Sequence, residues 1–261
     1  MQAPAEPEAD LSTTITDYSE VVLPLDAYLE SNEALVLDGQ AQSLLIRDCM
    51  ARHGLDWPIS PATEVTEPQH HGRHGILDPD EVQQYGYHPL PEALDAEVPE
   101  PPLSEAHEQH LETCAGEAQA ILREGLPADD HERGTPTLAQ ELAAEASTRA
   151  EGDSRVRAAW DAWSDCMAEY GYDYQGPWDA INDQRWWQGR GPSDAEIAAA
   201  TADLDCRQRT NLVGIWFAVE SAYQQQLIEQ HADALAAIRA RLDARARNVA
   251  AVLAAYGANP A

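Results

Sequence analysis

A segment of ten residues that occurs twice constrains the fold of this chain most strongly. Residues 48–57 read Asp-Cys-Met-Ala-Arg-His-Gly-Leu-Asp-Trp, and residues 165–174 read Asp-Cys-Met-Ala-Glu-Tyr-Gly-Tyr-Asp-Tyr. Six of the ten positions are identical, including the cysteine, the methionine and the glycine. Because cysteine and methionine are rare in this chain and glycine often ends a helix, the match indicates an internal duplication of a helix end.

The repeated segment has the pattern of a Schellman motif. If the glycine is residue C′ in the left-handed conformation, the methionine is residue C3 and the residue after the glycine is C″. The residues at these three positions are Gly54, Met50 and Leu55 in the first copy and Gly171, Met167 and Tyr172 in the second. Each repeated cysteine then lies in the last turn of its helix.

The four cysteines, Cys49, Cys114, Cys166 and Cys206, lie far apart and include no Cys-x-x-Cys pair. This spacing argues against a zinc knuckle or a thioredoxin-type redox centre. An even number fits two disulfides, for which three pairings exist. The duplication favours Cys49 with Cys114 and Cys166 with Cys206, since each repeat then closes on the next cysteine. Each bond would stabilise the fold by about 4 kcal/mol, and both predict an oxidising compartment.

Charge limits the partners of this chain. It has 46 acidic residues against 16 basic ones, all of them arginine, and a net charge of −30. The resulting field repels phosphate backbones and anionic lipids, so we expect no nucleic acid and no direct membrane contact. No segment approaches the ~18 apolar residues of a membrane span.

The N-terminus bears on localisation. Residues 1–10 have neither the basic nor the apolar region of an export signal. The protein is either cytosolic with free thiols, or its numbering starts after a removed signal. The predicted disulfides favour the second explanation, which predicts an extracellular or cell-surface protein that touches the membrane only through a lipid anchor outside this sequence.

The predicted fold class is mainly α, a disulfide-stapled helical domain with a duplicated helix C-cap and a long C-terminal helix. Residues 194–256 contain no proline and only one glycine, Gly214, which predicts one long helix or two consecutive ones. Ser193 and Glu196 have the pattern of a capping box at its start. We expect a disordered acidic tether over residues 1–17, a first helical half with an acidic, loop-rich insertion over 18–152, and a second helical half over 153–261.

A histidine-rich run is the candidate metal site. Its members are His70, His71 and His74, and Asp78 and Asp80 follow closely. Imidazoles and carboxylates of this kind can hold Zn²⁺, Cu²⁺ or Ni²⁺. The spacing matches no established ligand motif, and the alternative is a solvated loop rich in proline and glycine.

Three tryptophans that follow the second repeat, Trp178, Trp186 and Trp187, are the candidate partner-binding residues. If exposed, they can stack on sugar rings or hold an apolar peptide; the alternative is that they fill the core between helices. The sequence contains no Gly-x-Ser-x-Gly, His-Glu-x-x-His, P-loop or dinucleotide motif. We therefore expect no enzyme activity, no catalytic residues and no cofactor.

Four features of the chain resemble an uncharacterised actinobacterial (Streptomyces-type) family of secreted or lipid-anchored proteins with repeated Cys-Met-x-x-x-Gly segments. They are Arg47-Asp48-Cys49-Met50 with Gly54, Tyr85-Gly86-Tyr87-His88-Pro89, Trp163-Ser164-Asp165-Cys166-Met167 with Gly171, and the helix with Glu196, Asp203 and Cys206. The similarity covers most of residues 18–256. It implies a cell-envelope setting near peptidoglycan-binding adaptors and ABC transporters, and an accessory role without a known activity.

The functional hypothesis is an exported cell-envelope accessory protein that binds another envelope protein and is linked to an ABC transporter system. The alternative is an extracytoplasmic ligand- or metal-binding protein that delivers cargo to a transporter. An envelope hydrolase is the third hypothesis.

Overall fold

The structure, a computed structural model, describes residues 5–57, 68–89, 103–126, 136–189 and 191–257. Within these ranges the fold is mainly α, with nine α-helices and no strand, and the predicted fold class is confirmed. The helices are α1 (Asn32–Arg52), α2 (Pro79–Tyr85), α3 (Glu105–Leu122), α4 (Leu138–Gly152), α5 (Ser154–Glu169), α6 (Pro177–Ile181), α7 (Asp194–Thr210), α8 (Leu212–Gln230) and α9 (Ala232–Ala255). Short 3-10 helices span Tyr18–Glu20, Pro24–Tyr28 and Trp186–Gln188. None of the helices in the described ranges is both long and apolar enough to cross a bilayer.

Both copies of the repeated segment end a helix as predicted. Gly54 and Gly171 have φ angles of 73° and 85°, in the left-handed region. The Leu55 amide donates to the Met50 carbonyl at 3.0 Å, and the Tyr172 amide donates to the Met167 carbonyl at 3.1 Å. These bonds from C″ to C3 define the Schellman motif.

The two predicted disulfides are confirmed. Cys49 pairs with Cys114 and joins α1 to α3, with a Cα–Cα distance of 5.5 Å. Cys166 pairs with Cys206 and joins α5 to α7, with a Cα–Cα distance of 5.7 Å. Each repeat therefore ends its helix and binds that end to a later helix.

The chain forms two compact units, each made of segments that are distant in sequence. Unit 1 lies within Met1–Leu25, His70–Val98 and Gln140–Gln230, and unit 2 lies within Asp26–Gln69, Pro99–Ala139 and His231–Ala261. In unit 1, α5 packs on α7 and α8, and α2 packs on α7. In unit 2, α1 packs on α3 and α9.

Aromatic residues build the core of unit 1. The ring of Trp216 on α8 has edge contacts with Trp160 and Trp178, at centroid distances of 5.2 and 5.6 Å. Aliphatic residues and the Cys49–Cys114 bond build the core of unit 2, where Leu44 packs with Leu122 and with the last turns of α9.

The acidic N-terminal segment contacts other parts of unit 1. Its described part, residues 5–17, lies on unit 1: Glu6 accepts from the Ser154 amide at 2.8 Å, and the Thr13 carbonyl accepts from the Asn211 side chain at 2.8 Å. A Cβ on Gly214 would lie 2.1 Å from the Thr13 oxygen, so the single glycine of the long helical stretch allows this segment to approach α8.

The stretch from 194 to 256 contains three consecutive helices, so both predicted alternatives, one long helix and two consecutive ones, are wrong in number. The breaks fall at Asn211, which has a left-handed φ of 51°, and at His231. Asparagine tolerates this conformation better than most residues, and its side chain here also donates to the N-terminal segment. The last helix, α9, has 24 residues and is the predicted long C-terminal helix.

Candidate functional site

Three charged residues share the inner face of α7. Glu196, Asp203 and Arg207 follow one another at helical spacings of seven and four, and all three are almost fully buried. Burial of charged groups is stable only when each is paired or hydrogen-bonded. The hydrogen-bond partners of these three residues show which segments pack against α7.

Glu196 holds the loop after α2. Its Oε1 accepts from the Tyr87 amide at 2.9 Å and lies 2.8 Å from Nδ1 of His88. Ser193 caps α7 as predicted, since its hydroxyl accepts from the Glu196 amide at 3.2 Å. The Glu196 side chain does not return to the Ser193 backbone as a capping box requires, because it is buried against Tyr87 and His88.

Asp203 connects three elements. It accepts from Nε1 of Trp163 on α5 at 2.7 Å, from the hydroxyl of Tyr87 at 3.1 Å and from Nε of Arg207 at 2.6 Å. Burial, with the Asp203 charge beside it, raises the pKa of Tyr87, so this hydroxyl stays protonated and donates. Arg207 then donates to the carbonyl of His74 at 2.6 Å.

A second buried carboxylate, Glu220 on α8, holds the turn before α2. It accepts from the Arg73 guanidinium and lies 2.8 Å from Nε2 of His74. Burial lowers the pKa of His74, so its imidazole is neutral and donates. Burial by itself would raise the pKa of Glu220, but the hydrogen bonds from His74 and Arg73 outweigh it and lower that pKa to about 2.

The histidines predicted as metal ligands have separate partners. His74 contacts Glu220, and Nε2 of His71 lies 2.9 Å from Oε2 of Glu81. Among the described residues, groups of three possible ligands occur only at the two disulfides, and neither group includes His70, His71 or His74. Metal binding by these histidines stays a prediction.

The three candidate partner-binding tryptophans differ in exposure. Trp186 is buried and donates to the Ala180 carbonyl at 2.7 Å, and Trp178 is half-buried against Trp216. Only Trp187, with 47% of its surface exposed, is available to a partner, and its ring lies 4.9 Å from that of His88.

The outer face of α7 forms a surface groove of about 540 Å³, which we call the α7 groove. Its floor is a single helical stripe with spacings of three, four, seven and eleven from Asp194. The lining residues are Gln83, Tyr170, Asp194, Ile197, Ala198, Thr201, Ala202 and Asp205.

The walls of the groove come from α2 and from the end of α5. Gln83 on α2 donates to the Thr201 hydroxyl at 3.0 Å, and the Tyr170 hydroxyl donates to Asp205 at 2.7 Å. This hydrogen bond raises the pKa of Tyr170, so its hydroxyl is protonated. The Cys166–Cys206 bond fixes the end of α5 that presents Tyr170, and the buried Glu196 fixes the loop that follows α2. The inner face of α7 thereby positions both sides of the groove on its outer face.

Only part of this arrangement could be predicted from the sequence. Three of the four segments that carry the family resemblance meet in unit 1: Tyr87 and His88 contact Glu196, and Trp163 contacts Asp203 beside the Cys166–Cys206 bond. The groove itself was not predicted. The signal for it in the sequence is a row of polar and aliphatic residues at every third or fourth position from Asp194, on a helix whose other face contains buried charges.

The lining of the α7 groove combines charged, polar and aliphatic side chains. Carboxylates lie at both ends of an aliphatic floor, and hydroxyl and amide groups lie at the sides. Such a surface can accept hydrogen bonds from cationic groups and cover a small apolar side chain.

The class that the fold defines is a mainly helical protein stabilised by two disulfides. No known protein-family model matches the chain, and neither does a curated protein or a solved structure. The resemblance to actinobacterial exported proteins therefore stays a prediction.

Proposed function

We propose that this protein is an exported cell-envelope accessory protein that binds a basic segment of another envelope protein in the α7 groove. The observation that carries the proposal is the groove itself, with Asp194 and Asp205 at the two ends of a floor formed by Ile197 and Ala198. The protein contributes a binding surface and no catalytic group.

The dimensions of the groove indicate the kind of segment that fits it. Asp194 and Asp205 are eleven residues apart on one helix, which is about 16 Å at about 1.5 Å per residue. An extended chain covers this length with about five residues at about 3.3 Å each. The matching segment has a basic residue at each end and a small apolar residue in the middle.

The charge of the whole chain supports a basic partner. A net charge of −30 attracts cationic surfaces over a distance of about one Debye length and increases the rate of encounter. It also disfavours nucleic acid and anionic lipid as occupants of the groove.

Two disulfides are compatible with an extracellular location, where such bonds persist. The more specific cell-envelope setting and the link to an ABC transporter system rest on the family resemblance. Trp187, on the 3-10 helix that precedes α7, is a further exposed contact for the same partner.

A matched pair of variants tests the groove. Ala198→Arg places a cation on the groove floor, and Ala162→Arg makes the same change at an exposed alanine of α5 outside the groove. Both alanines are exposed positions on helices of unit 1, so the two changes have similar effects on helix stability. The probe is the peptide Arg-Ser-Leu-Ser-Arg, with Glu-Ser-Leu-Ser-Glu as its charge-reversed control.

We expect the basic peptide to shift the amide NMR signals of Ile197, Ala198 and Thr201, and Ala198→Arg to weaken its binding at least tenfold. Ala162→Arg should bind it like the unmodified protein, and the acidic peptide should bind to none of the three. Equal binding of both peptides, or equal loss of binding in both variants, would overturn the assignment to the groove.

A further inference from the structure

Unit 2 contains a set of four side chains that none of the functions above uses. Cys49 and His53 are four residues apart at the end of α1, and His110 and Cys114 are four residues apart on α3. A spacing of four places two side chains on the same face of a helix, one turn apart. The Cys49–Cys114 bond joins these two faces, and His53 lies beside it.

The geometry brings these groups close together. The sulfurs of Cys49 and Cys114 and a ring nitrogen of His53 all lie within 4.8 Å of one another. The rings of His53 and His110 are stacked at a centroid distance of 3.9 Å, with 18° between their planes. Among the described residues, the two imidazoles contact each other, and their ring nitrogens accept or donate no hydrogen bond there.

The second copy of the repeated segment provides an internal comparison. There the residue four after the first cysteine is Tyr170, and the residue four before the second cysteine is Ala202. The Cys166–Cys206 bond thus joins two helices in the same way, with no histidine at either of the two equivalent positions. A structural role for the disulfide does not account for the two histidines at the first copy.

We propose that Cys49, His53, His110 and Cys114 form a Zn²⁺ site when the Cys49–Cys114 disulfide is reduced. Two thiolates and two imidazoles are a usual ligand set for tetrahedral zinc. The same two sulfurs cannot form a disulfide and bind the ion as thiolates, so metal binding and disulfide formation exclude each other. Exchange with the disulfide of another protein takes the two electrons from the pair, reforms the Cys49–Cys114 bond and releases the metal.

The chemistry requires a reductant, and a protein dithiol is the class that supplies it. One thiolate of the reductant attacks a disulfide sulfur and displaces the other sulfur, and its second thiolate then forms the reductant's own disulfide and frees the second cysteine. Two electrons pass to the Cys49–Cys114 pair, which becomes two thiols. Zinc binding then releases two protons, because the ligands are thiolates.

The site requires little movement of the backbone. In a tetrahedral site with zinc–sulfur distances of about 2.3 Å, the two sulfurs lie roughly 3.8 Å apart. Rotation of the two cysteine side chains accommodates this separation between helices whose Cα atoms at Cys49 and Cys114 are 5.5 Å apart. His53 is exposed and follows the last residue of α1, so its ring is free to turn towards the ion.

The test compares the full chain before and after reduction with a water-soluble phosphine, which becomes a phosphine oxide with an oxygen taken from water. Zn²⁺ binding is measured by competition with a chromogenic chelator, and Co²⁺ is used as a spectroscopic probe of the ligands. We expect one tight Zn²⁺ per reduced chain and none per oxidised chain. Co²⁺ should give the visible bands of a tetrahedral site and a thiolate charge-transfer band.

The control variant is His53→Tyr with His110→Ala, which copies the residues of the second repeat and keeps all four cysteines. It should bind Zn²⁺ at least a hundredfold more weakly after reduction. Equal affinity in the variant, or no difference between the oxidised and reduced forms of the unmodified chain, would overturn the proposal.

Circular dichroism measures whether reduction unfolds the helices of unit 2. If helix is lost, Zn²⁺ should restore it in the unmodified chain and not in the variant, because metal binding is coupled to folding. Helix that is lost and not restored by Zn²⁺ would contradict the site.

Discussion

At the scale of single residues, Glu220 is a buried carboxylate whose charge depends on its two neighbours. Arg73 and His74 donate to it, and its folded-state pKa is lowered to about 2 from an ordinary value of 4.5. A carboxyl with a lowered pKa stabilises the fold fully above its unfolded pKa, and this contribution is lost as the pH falls through the folded pKa. The window for Glu220 is therefore about pH 4.5 down to about pH 2.

The substitution Glu220→Gln tests this window. At pH 7 we expect it to lower the free energy of unfolding by about 3 kcal/mol, because the change keeps the size of the side chain and removes its charge. The difference between the two proteins should shrink towards zero as the pH falls from 4.5 to 2, since the carboxyl of the unmodified chain becomes protonated there. His74 is present in both proteins, and Gln keeps an oxygen that can accept from its imidazole, so the comparison isolates the charge of residue 220.

Urea unfolding at a series of pH values, followed by tryptophan fluorescence, measures the difference. Every tryptophan except Trp57 belongs to unit 1, so the signal reports mainly on the unit that contains Glu220. A difference that stays constant from pH 7 to pH 3 would show that the charge of Glu220 is not what stabilises this cluster.

Residues whose role is set by near neighbours were predictable from the sequence, and residues with distant partners were not. Gly54 and Gly171 end helices through bonds within one turn, and Ser193 caps α7 from the adjacent position. Glu196 also fits the local capping-box pattern, but it contacts Tyr87, 109 positions away. A sequence pattern contains the local alternative only, so the buried partner of Glu196 could not be predicted from it.

At the scale of elements, the segment over residues 70–88 is held on unit 1 by contacts that need glycine at two places. Gly75 has a φ of 103°, and a Cβ there would lie 2.1 Å from Nη1 of Arg207. Gly86 has a φ of 59°, and a Cβ there would lie 2.8 Å from Oε1 of Glu196. Each glycine lets the backbone approach one of the buried charges of α7.

The substitution Gly75→Ala should lower the free energy of unfolding by about 2–4 kcal/mol, because it strains the backbone and displaces the paired Arg207. Gly72→Ala is the matched control. Gly72 has a φ of 70° with no atom near its Cβ position, so this change should cost only the backbone strain of about 1 kcal/mol. Thermal unfolding followed by tryptophan fluorescence compares the two, and equal losses would mean that the contact with Arg207 contributes nothing.

The sequence distance between contacting elements also explains which parts of the candidate site could not be predicted from the sequence. The disulfide pairs follow from the duplication, and the helix boundaries follow from caps such as Ser104 and Asp78. The α7 groove depends on Gln83 and Tyr170, which come from segments 87 residues apart and meet only after folding. No local pattern relates these two residues, and so the groove could be found only in the structure.

At the scale of the whole molecule, each unit combines three segments that are distant from one another in the sequence. The sequence-based division at residue 152 follows the duplicated segments, and it carries no information about which distant segments pack together. Contacts such as Asp38 with Arg245 in unit 2, at 2.6 Å, close long loops, here with a sequence separation of 207. Such long loops slow folding more than they reduce stability.

The net charge of the chain affects the stability of the whole molecule. Sixteen arginines can neutralise at most sixteen of the 46 acidic residues one to one, which leaves thirty negative charges unpaired. Their mutual repulsion destabilises the compact state, and salt screens it. The Debye length falls from about 30 Å at 0.01 M to about 8 Å at 0.15 M ionic strength, so most of this repulsion should be removed over that range.

We therefore expect the melting temperature at pH 7 to rise with NaCl between these two concentrations, by about 2–4 °C for each kcal/mol gained. The rise should be the same for NaCl and sodium sulfate at equal ionic strength, because screening depends on ionic strength and not on the anion. At a pH near the isoelectric point of 4.3 the same series should give a much smaller rise. A melting temperature that falls with salt at pH 7 would mean that exposed ion pairs such as Arg209 with Glu169 stabilise the fold more than the unpaired acids destabilise it.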